Sequence, residues 1–91
     1  MTQVLHTLTI HELAARCGVE HRFVEQLVEL GVLESHGSDR SRFAGELTLR
    51  VFRCLRLQQD LGLNLEGVAL VLDLLDRIEQ LEHELSALRP H

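Results

Sequence analysis

Apolar residues recur along this chain in steps of three and four, and glycines interrupt the pattern often enough to divide it into separate helices. Ile10, Leu13, Ala14 and Cys17 make one such stripe. Thr9-Ile10-His11-Glu12 at its head has the form of a capping box, in which a hydroxyl and a carboxylate each satisfy a free backbone amide, and Gly18 supplies a stop. A second amphipathic helix is predicted from Glu20 to Leu30. It places Phe23, Val24, Leu27, Val28 and Leu30 on one side and His21, Arg22, Glu25, Gln26 and Glu29 on the other, with Gly31 as its stop. Residues 9–31 therefore read as helix, glycine turn, helix. Ahead of them, residues 3–8 carry Val4, His6 and Leu8 on one parity and read either as a short strand or as a disordered lead-in.

The turn formers Ser35, Gly37, Ser38, Asp39, Ser41 and Gly45 surround one large apolar residue, Phe43, so residues 34–45 are expected to form a loop or small hairpin. The helical period returns over residues 46–61 through Leu47, Val51, Cys54 and Leu55. Leu49, Phe52 and Leu57 widen that apolar arc, which predicts a central helix buried on two sides and closed by Gly62. On it, Glu46/Arg50 and Arg56/Asp60 are spaced to pair along the helix surface. Asn64 is placed to cap a final helix over 65–88, which meets no breaker before Pro90 apart from Gly67 in its first turn. In its second half Leu74, Ile78, Leu81, Leu85 and Leu88 keep a heptad spacing, flanked by Asp73, Asp76, Arg77, Glu79, Glu82 and Glu84. Such a seam calls for a partner, either a second copy or the chain's own domain if the stripe packs back on it.

Composition narrows the function classes. Ninety-one residues are enough for one domain, 1–91, with one small core. The longest aliphatic run, Val68 to Leu72, is far short of the roughly 20 residues that span a bilayer. No membrane span is expected, and with no basic segment leading into an apolar run the cytoplasm is the expected compartment. Cys17 and Cys54 stand alone, without the paired spacing of a zinc site, and are expected to fill the core as small hydrophobes. The histidines bring no ligands at short spacing: His6 and His11 straddle the first cap, while His21, His36, His83 and His91 read as surface residues. There is no phosphate-cradling glycine motif, no Gly-x-Ser-x-Gly and no His-Glu-x-x-His, and so small a core leaves little material for a catalytic cavity. A non-enzyme without metal or cofactor is expected.

Charge then separates the binding classes. Nine arginines, no lysine and fourteen acids leave a net −5, whereas a protein that lives by neutralising phosphates is normally basic. In a helix-turn-helix the second helix is the one presented to the partner, and a DNA reader needs Arg, Lys, Asn or Gln there. Here the second helix offers Glu20, Glu25 and Glu29 with one Arg22, and Glu34 follows it. Those carboxylates repel a polyanion within a Debye length of about 8 Å and suit a basic protein surface better. The counterweight is the island of Arg40, Arg42, Arg50, Arg53 and Arg56, because wings and the helices after them contact phosphates in winged helix-turn-helix proteins. Solvated surface or internal pairing accounts for that island first, an acidic protein partner second and DNA last.

The blocks Leu8-Thr9-Ile10-x-Glu12-Leu13-Ala14, Leu30-Gly31-Val32-Leu33 and Leu55-Arg56-Leu57-x3-Leu61-Gly62-Leu63-Asn64-Leu65 resemble the winged-helix fold of the MerR family. The chain departs from that family where its members touch DNA. Phe23-Val24-Glu25-Gln26 replaces an Arg-Tyr-Tyr-Glu in the second helix, Arg40-Ser41-Arg42-Phe43 replaces a Gly-Tyr-Arg-x-Tyr wing, and the effector-binding extension is absent. Those departures make it more similar to the CbpM-type chaperone modulators, over about residues 4–88 and most strongly from Arg53 to Leu81. The resemblance implies an all-α, MerR-like winged helix-turn-helix with a small wing and a long C-terminal helix. It also implies a partner, the J-domain of a DnaJ- or CbpA-like co-chaperone, whose action with the DnaK-type chaperone would be inhibited. On that reading Glu20, Arg22, Glu25, Glu29, Glu34, Arg53 and Arg56 are the candidate partner-binding residues, and Leu74, Ile78, Leu81, Leu85 and Leu88 a candidate homodimer seam. The rival is a MerR-like transcription regulator that touches phosphates through Arg40, Arg42, Arg50 and Arg53 and dimerises along the seam; a bare dimerisation module would need the seam alone.

Overall fold

The Thr9 hydroxyl accepts from the Glu12 amide at 3.1 Å while the Glu12 carboxylate accepts from the Thr9 amide at 2.8 Å. From this reciprocal cap runs helix α1 (Ile10–Cys17) of the computed structural model, which describes residues 7–37 and 41–89. The backbone hydrogen bond from Thr9 holds the Glu12 carboxyl below its ordinary range. Its contribution is therefore present above the unfolded-state value and is lost as acid carries the pH down through the lower folded one. Gly18, at φ 69°, then turns the chain left-handed out of the helix, a conformation that costs a side-chain-bearing residue dearly.

Helix α2 (His21–Glu29) starts after Glu20, whose side chain makes no cap. Its inward face is narrower than its apolar residues imply: Val24 and Leu27 are buried, Phe23 and Val28 half-buried, and Leu30 is exposed. Beyond it, the 34–45 segment is a small hairpin. His36 and Arg42 bridge across it, the His36 amide donating to the Arg42 carbonyl at 2.6 Å and the Arg42 amide to the His36 carbonyl at 3.0 Å. Strand β1 (Thr7–Leu8) pairs antiparallel with β2 (Phe43–Ala44), Thr7 facing Ala44 and Leu8 facing Phe43. Residues 38–40, with Arg40, and the rest of the expected 3–8 strand lie outside the described residues.

Helices α3 (Leu47–Leu61) and α4 (Leu65–Leu88) complete the chain, separated by Gly62 and capped at α4 by the Asn64 side chain, which accepts from the Gly67 amide at 2.8 Å. The core gathers Leu13 from α1, Val24 and Leu27 from α2, Val51 and Cys54 from α3, and Val68 and Leu72 from α4, with Leu33 and Phe43 from the connecting segments. Cys17 also sits in it, its thiol directed at the Thr48 carbonyl at 3.9 Å. Burial pushes both thiols up from their ordinary value, Cys54 among fully enclosed neighbours. Both cysteines should therefore resist a thiol reagent such as Ellman's in the folded protein at neutral pH and react at once in denaturant; rapid reaction of both without denaturant would contradict this packing.

Three expectations for α3 fail. It is buried on one side only, with Leu49 72 % exposed and Phe52 also in solvent, because both lie on the side of α3 turned away from Val51 and Cys54 and no described element covers that side. Nor does Arg50 pair with Glu46. Its guanidinium instead reaches α4, with Nη2 2.8 Å and Nη1 3.3 Å from the two carboxylate oxygens of Asp76, while its Nε donates to the Val32 carbonyl at 2.7 Å. A planar fork that meets a carboxylate two-point and a carbonyl at once outcompetes a single helical neighbour. No ion pair joins Arg56 and Asp60 among the described residues. Arg50→Ala leaves the Val32 carbonyl without its donor and should cost about 1.5 kcal/mol in a urea titration, discounted for solvent at Asp76. Asp76→Asn, which spares the Val32 bond, should cost less than half of that.

Helix α4 is 24 residues, or about 36 Å, long. Only Val68 and Leu72 are buried, and every described residue beyond Leu72 is exposed. Leu74, Ile78, Leu81, Leu85 and Leu88 remain 48–81 % exposed, so the stripe does not pack back on its own domain.

Candidate functional site

Along α2, Arg22, Glu25 and Glu29 follow at steps of three and four and share one solvent-facing side, with Glu20 at its head and Glu34 past the following turn. All five are exposed. One turn inward from the two glutamates lies a trough of about 570 Å³ between the start of α1, the outer flank of α2 and the hairpin. Buried Phe43 and half-buried Ile10 and Val28 line its depth, and Glu25 and Glu29 stand at its edge.

Next to the trough the His11 and His21 rings stack, with centroids 4.2 Å apart and planes 5° from parallel, and His21 Nδ1 lies 3.9 Å from a Glu25 oxygen. His21 is thus half-buried rather than the plain surface residue its sequence context implies, and its Nε2 is enclosed without a hydrogen-bond partner. No group of three His, Cys, Asp or Glu side chains able to hold a metal occurs among the described residues. No helix of the described residues is long and apolar enough to cross a membrane.

The arginine island is dispersed. Arg42 is committed to β1, its Nε and Nη2 donating to the Thr7 hydroxyl at 3.1 and 2.9 Å and Nη2 also to the Thr7 carbonyl at 3.2 Å. Arg50 is committed to Asp76 and Val32, and Arg40 lies outside the described residues. Arg53 and Arg56 remain in solvent on α3, on the side that carries Leu49 and Phe52, and no ion pair joins them to the α2 acids. The structure therefore brings Arg22, Glu25 and Glu29 together on one helix face and leaves Arg53 and Arg56 on another element.

The sequence pattern of the MerR HTH family regulatory proteins matches residues 8–90. The chaperone modulatory protein CbpM of Citrobacter koseri is 34 % identical over 86 residues, which cover 92 % of this chain and 85 % of that protein. The chain belongs to the CbpM family of MerR-like proteins. CbpM proteins of Salmonella arizonae and Salmonella paratyphi B match at 33 % identity over the same shares of both chains. The CbpM match thus runs through every helix described above, the projecting α4 included.

The trough escaped the sequence reading because its walls come from residues far apart in the chain, Ile10, Val28 and Phe43, none of which carries a local signal. The Arg50–Asp76 contact spans 26 residues and was equally silent.

Proposed function

We propose that this chain is a non-enzymatic chaperone modulator of the cytoplasm, which binds the J-domain of a DnaJ- or CbpA-like co-chaperone and inhibits its action with the DnaK-type chaperone. The observation that carries this is the exposed acidic side of α2, in the helix that a DNA-binding relative would lay in the major groove, combined with internal use of Arg42 and Arg50. Relatives bearing the name chaperone modulatory protein supply the class of target. Complementary charge speeds encounter and fixes orientation, which a competitor for a shared basic surface needs.

Titrating the protein with an isolated J-domain from the same organism, by calorimetry at two salt concentrations, tests this. Saturable one-to-one binding is expected, weakened about tenfold by the double change Glu25→Lys and Glu29→Lys, with the difference narrowing at the higher salt. Unchanged affinity in that double variant places the interface elsewhere. Absence of J-domain binding alongside tight, steeply salt-dependent promoter binding that falls with Arg53→Ala and Arg56→Ala instead favours the transcription regulator. We further propose that two copies join along the Leu74, Ile78, Leu81, Leu85 and Leu88 seam, an apolar face that the described residues leave uncovered.

A further inference from the structure

We propose that the trough between α1, α2 and the hairpin receives the apolar anchor of a cationic amphipathic helix on the partner, with Glu25 and Glu29 holding the cations that flank that anchor. This rests on the protein-binding reading above and adds the surface that gives it affinity.

The acidic side of α2 cannot supply that affinity alone. Arg22, Glu25 and Glu29 are all charged and bring no apolar residue to that side, and charges at the edge of an interface govern approach more than residence. Tight interfaces hold a water-excluding apolar centre ringed by polar groups. The trough has this plan: Phe43 lies at its depth, Ile10 and Val28 are partly open to solvent beside it, and the two carboxylates border it. At about 570 Å³ it falls within the roughly 300–1,000 Å³ of clefts that enclose a whole ligand, room enough for apolar side chains spaced one turn apart on a docked helix.

Charge chooses the occupant. Two carboxylates and no arginine line the trough among the described residues. Glu25 and Glu29 are one turn apart, about 6 Å along α2, the spacing of two cations at i and i+4 on a helix lying beside it. A nucleic acid is repelled there. So is the outer half of α4 from a second copy, which carries Glu79, Glu82 and Glu84. A basic helix with an apolar stripe satisfies both the depth and the edge.

The experiment titrates the isolated J-domain into the full chain and into two variants, Ser35→Trp, which puts an indole into the trough from its border, and Val28→Asp, which puts a charge in its wall. Circular dichroism establishes that each is folded. The methyl resonances of Ile10 and Val28 in the unaltered chain are followed in parallel, so that one readout depends on no substitution. Tenfold or greater weakening by the variants at both salt concentrations is expected, since an apolar anchor is not screened, together with shifts of both methyls on adding the J-domain. J-domain binding that leaves the folded variants at full affinity, or leaves the methyls unmoved, overturns the trough while the modulator reading stands. A J-domain that does not bind the unaltered chain removes that reading and the trough with it.

Discussion

Leu27→Ala lowers the unfolding free energy by about 3 kcal/mol, the cost of an enclosed leucine cut back to a methyl in a site that only partly collapses. Leu27 has no exposed surface and sits where α1 and α2 meet, and its own carbonyl accepts the amides of Val32 at 2.9 Å and Leu33 at 3.3 Å as the chain turns out of α2. The side chain and the turn are thus held at one point. In a chain of 91 residues, whose whole stability is on the order of 5–14 kcal/mol, such a loss is large. Leu49→Ala should stay within about 0.5 kcal/mol of the parent, because Leu49 faces solvent on the side of α3 away from Val51 and Cys54. Urea titrations followed by circular dichroism compare the two. A Leu49 variant as damaged as the Leu27 variant would restore the two-sided burial that the pattern predicts for α3, and the one-sided packing described above would be wrong.

That contrast also marks how far the sequence could be read. Local chemistry was legible: Thr9 and Glu12 form the cap their spacing announces, Gly18 and Gly62 take left-handed backbone where a helix must end, and α4 keeps the bounds that Asn64 and the absence of a breaker imply. Periodicity says which residues share a face, and for α3 it placed Leu49 and Phe52 with the core. Whether a face is covered depends on where the neighbouring helices run, and none runs over the side of α3 that carries Leu49 and Phe52. Arginines show the same limit from the polar side. A count over residues 37–63 makes an island, but Arg42 reaches back to Thr7 and Arg50 forward to Asp76, so the island is not one continuous basic surface. The acids of α2 were legible because a short amphipathic helix with Val24 and Leu27 inward leaves Glu25 and Glu29 no other place than solvent.

Ile78→Glu with Leu81→Glu should shift the protein from dimer to monomer, raising the dissociation constant 100-fold or more. Each apolar side chain buried against a partner contributes about 1.5–3 kcal/mol, and symmetry removes every contact twice, once from each copy. The new carboxylates would also be buried without cations. In the monomer both positions are about half exposed, and glutamate is a good helix former, so thermal unfolding of the dissociated chain and its helix content should barely move. This separates a lost interface from a lost fold. The flanks of the seam add a second, independent signature. With Asp76 paired to Arg50, Asp73, Glu79, Glu82 and Glu84 still outnumber Arg77 there, so two such helices repel along their edges while their leucines attract. Salt screens the first and spares the second, and sedimentation of the unaltered chain should therefore show tighter self-association at 0.5 M than at 0.05 M salt. Weaker association at high salt would mean that cross-helix ion pairs rather than leucines hold the copies together. A monomer at every concentration would leave the seam to a different protein.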